Sequence, residues 1–138
     1  MDEDALLVVA RARLALGARF KPQGRNIEEG LDCVGLAALA FGAAEADVPR
    51  DYPLRGVPAG GLEQLLARHG LARAGGEALR AGDLAVFEPG PGQVHLAIVV
   101  GTTLIHADMR LRRIVERPLP APWPLTALWR QRMQREQG

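Results

Sequence analysis

Three side chains in this sequence are of the types that nucleophilic acyl chemistry requires: Cys33, His95 and His106. A thiolate is the attacking species in cysteine chemistry. An imidazole within hydrogen-bond reach takes the thiol proton, and a third polar group fixes that imidazole's tautomer. Cys33 follows Asp32, an N-cap residue type, and Val34, Leu36, Ala37, Ala40 and Phe41 supply an apolar stripe ending near Gly42. Cys33 is thereby expected in the first turn of a helix, where unpaired N–H groups and the positive dipole end favour the thiolate. His95 opens the run His-Leu-Ala-Ile-Val-Val, and His106 closes Thr-Leu-Ile-His after a turn at Gly101-Thr102-Thr103. Two strands joined at that turn form a hairpin, in which the histidines could become neighbours.

Each of these residues also has a plainer reading. A lone cysteine is commonly a small buried hydrophobe, and a histidine on a strand is commonly a satisfied core residue. One thiolate and two imidazoles could also hold zinc with an open fourth position. The spacing argues against zinc, because the chain has no short chelating pair of the C-x-x-C or H-x-x-x-H kind. His69, in Ala-Arg-His-Gly, reads as a surface cation at a helix end, and Asp83, after Gly82, reads as a turn residue.

The elements that must position these groups follow from periodicity. Ala5 to Leu16 reads as an amphipathic helix with Leu6, Val9, Leu14 and Leu16 on its inner side and Gly17 as its stop. Arg19 to Leu31 lacks a clean period and reads as a loop delivering the chain to Cys33. Prolines 49, 53 and 58 mark a surface excursion between Asp47 and Gly61, and Leu62 to His69 is a short helix before Gly70. Strands are predicted at Leu84–Phe87, Val94–Val100, Thr103–His106, Ile114–Arg117 and, after the proline-rich turn from Pro118 to Pro124, at Ala127–Arg132. Helices first and strands afterwards imply an α+β domain, with N-terminal helices packed on a C-terminal antiparallel sheet. Residues 1–138 are the length of one domain, and 48% hydrophobic against 24% charged residues is a normal globular balance.

Composition removes several function classes. A net charge of +1, with no basic run interleaved with aromatics, argues against a nucleic-acid partner. One cysteine cannot form an internal disulfide, so the fold does not depend on an oxidising compartment. The acidic start Met1-Asp2-Glu3-Asp4 is unlike an export signal, and no stretch approaches the roughly 20 apolar residues that span a bilayer. The expectation is a soluble chain made in the cytoplasm.

Four segments taken together resemble the NlpC/p60 family of cell-wall peptidases: Gly30-Leu31-Asp32-Cys33-Val34-Gly35-Leu36, Gly82-Asp83-Leu84-Ala85-Val86-Phe87, Val94-His95-Leu96-Ala97-Ile98 and Leu104-Ile105-His106-Ala107. The resemblance runs from the first helix to His106. It implies a papain-like fold with Cys33 as nucleophile, His95 as base and His106 as the third polar residue. It implies cleavage of amide bonds in peptidoglycan stem peptides, typically between D-glutamate and a diamino acid, without a metal or organic cofactor.

The chain departs from that family in two places. The family's usual tyrosine, whose hydroxyl helps at the oxyanion, is matched by Phe20, so that donor is missing. Gln23 could offer an amide donor instead, partnering the Cys33 backbone N–H. The family's frequent serine after the cysteine is Val34 here, which puts preference for a free N-terminal L-alanine in doubt. Asp32 is retained and joins Gln23 in the candidate oxyanion and substrate-binding set. Phe20-Lys21-Pro22-Gln23-Gly24-Arg25 and Asp32-Cys33-Val34-Gly35-Leu36 look most like the compact subgroup of phage and gene transfer agent tail clusters. That likeness implies tail proteins as partners and delivery to the cell wall on a particle, with Pro118–Pro124 and Trp123 either docking there or forming a turn that covers the sheet. Two other functions fit the same residues: a non-catalytic tail or binding module, and another papain-like amidase or acyltransferase.

Overall fold

Asp2 begins the first helix as the sequence grammar requires, its carboxylate accepting from the Ala5 N–H at 2.7 Å. In the computed structural model, which describes residues 2–44, 47–50, 57–58, 61–75 and 78–132, α1 spans Glu3–Leu14 and α2 spans Cys33–Ala40. A short hairpin of β1 (Arg25–Asn26) and β2 (Gly30–Leu31) lies between them. β3 (Val57–Pro58), α3 (Leu62–Arg68) and β4 (Leu71–Ala74) follow. The remaining strands are β5 (Leu84–Phe87), β6 (Gln93–Val99), β7 (Thr103–Asp108), β8 (Arg113–Pro118) and β9 (Leu125–Gln131). They form an antiparallel sheet in the order β4-β9-β5-β6-β7-β8, and β3 pairs with the start of β6. The α+β expectation therefore holds.

Strand alternation divides the core into two layers. Leu84, Val86, Leu96, Ile98, Ile105 and Trp129 face the helices and bury the main cluster with Val8, Ala12 and Leu36. Ala85, Phe87, Ala97, Val99, Leu104 and Leu128 face the other way, beneath Leu119, Ala121 and Trp123. The proline-rich turn is thus a cover on the sheet, which was one of its two sequence readings.

Five sequence expectations are corrected. The buried face of α1 is Val8, Val9 and Ala12, whereas Leu6, Leu14 and Leu16 are exposed. Small residues win that face because they allow close approach: a Cβ at Gly82 would collide with Ala5 of the helix. The approach segment holds the β1–β2 hairpin rather than loop alone, and β4 pairs with β9 at a sheet edge where no strand was predicted. His69 is half-buried at the end of α3 rather than on the open surface. Asp83 does more than shape a turn. It is 1% exposed and holds Arg130 of β9 in a two-pronged ion pair, at 2.6 Å to Nε and 2.8 Å to Nη2. Residues 51–56 and 59–60 of the predicted excursion lie outside the described residues.

Removing one partner of a buried ion pair strands the other charge. Asp83→Ala is expected to destabilise the chain by about 2–3 kcal/mol, reduced from the fully buried case because Arg130 is partly in solvent. Urea unfolding measures this, and a midpoint equal to wild type would contradict it.

Candidate active site

The sheet register brings the two histidines together. Ala97 pairs directly with His106 across β6 and β7, and His95 lies two residues from Ala97 on the same face, so the imidazoles are diagonal neighbours. His95 Nε2 and His106 Nδ1 are 2.9 Å apart, with the rings almost perpendicular. β6–β7 pairing stops at Ala97 and His106 although β6 begins at Gln93 and β7 continues to Asp108. A cleft of about 460 Å³ lies at these unpaired ends, lined by Gln93, Val94 and His95 of β6 and by His106, Ala107 and Asp108 of β7. Cys33, His95 and His106 all line it.

Cys33 reaches the cleft as the first residue of α2. Asp32 caps that helix by accepting from the Gly35 N–H at 2.8 Å. Its carboxylate also accepts from Arg25 Nη1 at 3.0 Å and from the Gln23 N–H at 2.8 Å, so one side chain ties the approach segment to the helix start. Arg25 is itself buried and donates to the carbonyls of Gly24 and Pro49. Gly35 is required by this closeness, because a Cβ there would collide with the Gly24 carbonyl oxygen.

Burial disfavours the charged form of both Cys33 and His95. Burial, reinforced by the Asp32 carboxylate, pushes the Cys33 thiol up to about 12, against backbone hydrogen bonding at Leu96, Cys33 and Val34. The shift runs opposite to the one expected from the helix start, because burial and the capping carboxylate both favour the thiol. Burial, then the neighbouring His106, pushes His95 down to about 4, while Asp108 acts in the opposite direction. His106 is also lowered, by burial first and Arg117 as well, again opposed by Asp108. Trp123 contributes to that burial, standing edge-on to His95 at 4.8 Å and to His106 at 5.3 Å. Among the described residues no hydrogen bond joins Cys33 to His95.

Phe20 and Cys33 both line the cleft, and the phenylalanine brings no hydroxyl. Asp32 also lines it, whereas Gln23 is not among the lining residues. Gln23 adopts a left-handed backbone (φ 60) and its N–H is held by Asp32, so the contribution seen here is to the shape of the approach segment. Sequence reasoning missed Asp108, Arg110 and Arg117, all of which line the cleft. The signal for Asp108 was its place two residues beyond His106, on the same face of a strand. Among the described residues no group of three or more His, Cys, Asp or Glu side chains is arranged to hold a metal ion, and no helix is long and apolar enough to cross a membrane.

The fold is the papain-like fold of NlpC/p60 domains. Solved structures of that type superpose over nearly the whole chain. NlpC2 from Trichomonas vaginalis matches with a TM-score of 0.71 at 18% identity, covering 97% of this chain and 49% of that one. The peptidoglycan hydrolase RipB from Mycobacterium tuberculosis matches with a TM-score of 0.61 at 20% identity, over 94% of this chain and 64% of that one. RipD from the same organism, described as a non-catalytic NlpC/p60 domain protein adapted to peptidoglycan binding, matches with a TM-score of 0.59 at 17% identity, over 96% of this chain and 100% of that one. At these identities the likeness is one of fold, and the chain spans only about half of NlpC2. No protein-family model and no curated protein sequence matches the chain.

A thiol with a pKa near 12 leaves roughly one thiolate in 10⁵ molecules at pH 7. Iodoacetamide is therefore expected to alkylate Cys33 slowly at neutral pH, with a rate that keeps rising through pH 10. A rate already level below pH 7 would show a preformed thiolate and contradict this charge state.

Proposed function

We propose that this chain is a cysteine peptidase that hydrolyses amide bonds in peptidoglycan stem peptides, of the D-glutamyl–diamino acid endopeptidase type. The observation that carries the reading is the convergence of Cys33, His95 and His106 on one cleft, with the two imidazoles hydrogen-bonded. His95 spends Nε2 on His106, so Nδ1 is the nitrogen left to serve as base. As the Cys33 sulfur attacks the scissile carbonyl carbon, the thiol proton passes to His95 Nδ1. The backbone N–H of Cys33, at the helix start, donates to the resulting oxyanion. Collapse of the intermediate breaks the C–N bond, and His95 returns the proton to the departing amine. Water then attacks the thioester, giving its proton to His95 and releasing the acid and the Cys33 thiol.

The cleft's walls suit this substrate class. Phe20, Pro22, Met109 and Trp123 are apolar, and Arg110 and Arg117 add cations that complement the free carboxylates of a stem peptide. Neutral resting groups agree with the mechanism, since proton transfer then coincides with attack. The resemblance of the approach segment to tail-cluster enzymes supports a further reading: the peptidase is carried on a phage-like tail and acts on the wall it meets.

A second reading has one observation in its favour. The raised thiol and the missing Cys33–His95 hydrogen bond are what a peptidoglycan-binding module without turnover would show, as RipD is described. Digestion of purified peptidoglycan with mass analysis of the products separates the two. Cleavage is expected to release stem fragments with a new amine on the diamino acid, and Cys33→Ala and His95→Ala are each expected to lose more than about a thousandfold in kcat while remaining folded. Retention of activity within about tenfold in either variant would refute the assignment. Binding without any fragment from wild type would favour the module.

A further inference from the structure

His106 Nε2 is a buried nitrogen with no hydrogen-bond partner among the described residues. The carboxylate oxygen facing it is Oδ2 of Asp108, at 3.9 Å: too long for a hydrogen bond, close enough for electrostatic attraction between a buried imidazole and a partly exposed carboxylate. Asp108 is not free to drift. Its other oxygen accepts from the N–H groups of Arg110 at 2.8 Å and Leu111 at 2.9 Å, which pins the carboxylate at the turn after β7. The groups that face the imidazole are His95 from β6, Arg117 from β8, Trp123 from the covering segment and Asp108 from β7 itself.

The bond between the histidines can be made in two ways, and only one leaves a working base. If His95 Nε2–H donates to His106 Nδ1, then His106 carries its proton on Nε2 and His95 Nδ1 keeps its lone pair for the thiol proton. If His106 Nδ1–H donates to His95 Nε2, then His95 is protonated on Nδ1 and cannot act as base, and His106 Nε2 points a lone pair at a carboxylate. The second arrangement is repulsive at the Asp108 end.

We propose that Asp108 is a positioning residue that sets the tautomers of both histidines: facing His106 Nε2, it keeps the proton there, and the bond to His95 then has only the direction that frees His95 Nδ1. The inference rests on the reading of His95 as base. Asp108 also stabilises the positive charge that the pair acquires during turnover, which Arg117 opposes. It acts through His106, without touching substrate.

The test is Asp108→Asn. Asparagine keeps an oxygen for the Arg110 and Leu111 N–H groups, so the turn is retained, and presents an N–H donor to His106 Nε2 where a carboxylate oxygen stood. The direction of the histidine bond should reverse. Nitrogen-15 NMR of histidine-labelled protein is expected to show His95 protonated on Nε2 in wild type and on Nδ1 in the variant. kcat on peptidoglycan fragments should fall by about a hundredfold or more with KM nearly unchanged, as expected for a misdirected base. Asp108→Glu, which restores a carboxylate, should recover the wild-type tautomer in part. Wild-type His95 protonated on Nδ1 would overturn the proposal, as would an Asp108→Asn protein with wild-type tautomers and a kcat within about threefold. The tautomer readout needs no substrate. A chain that shows the expected tautomers and no turnover would support the role of Asp108 and count against the peptidase reading alone.

Discussion

The pairing of Ala97 with His106 across β6 and β7 is the constraint on which the site depends. Because side chains alternate along a strand, a slip of one residue would send His106 to the helix-facing core and part it from His95. In the observed register the histidines share a face, and Asp108, two residues beyond His106, shares it too. The same register ends where the cleft begins. Beyond Ala97 and His106 the strands no longer pair, and the cleft at those ends is also lined by Cys33 at the start of α2. Trp123 then stands edge-on to both imidazoles from the covering segment, and burial is the first cause of their lowered pKa values.

The other half of the site is organised by Asp32. Its oxygens hold Gly35, Arg25 and Gln23, which joins the approach segment and the start of α2 into one unit and fixes where Cys33 points. The same negative charge disfavours the thiolate. Position and ionisation thus pull in opposite directions on one residue. The carboxylate that sets the position of Cys33 is thus also one that favours its neutral thiol.

The three side chains that meet in the cleft were legible because their signals are local. An N-cap aspartate before a cysteine and an apolar run, and two histidines bounding a short turn, each depend on a few adjacent residues. The hairpin followed from the turn at Gly101-Thr102-Thr103 and is met in the pairing of Val99 with Leu104, whereas its register comes from the structure. What was missed is non-local. α1 has leucines on more than one side, and only packing against Gly82 and the other elements selects its small-residue face. β4 is four residues long and gains its pairing from β9, far along the chain. The Asp83–Arg130 pair joins residues with no sequence pattern in common. Asp108 lay just past the predicted end of its strand at His106, and the two-residue extension to Asp108 is what gives it a face.

The central claim is that Cys33 is a nucleophile activated by His95 at the moment of attack. A stem-peptide analogue carrying a nitrile in place of the scissile amide tests it directly, because a thiol adds across the nitrile: a C–S bond forms and the thiol proton is delivered to nitrogen. Intact mass followed by peptide mapping is expected to find one analogue per chain, on Cys33, formed at neutral pH and strongly slowed in His95→Ala. No adduct at saturating analogue, or an adduct whose rate is indifferent to His95→Ala, would contradict the account.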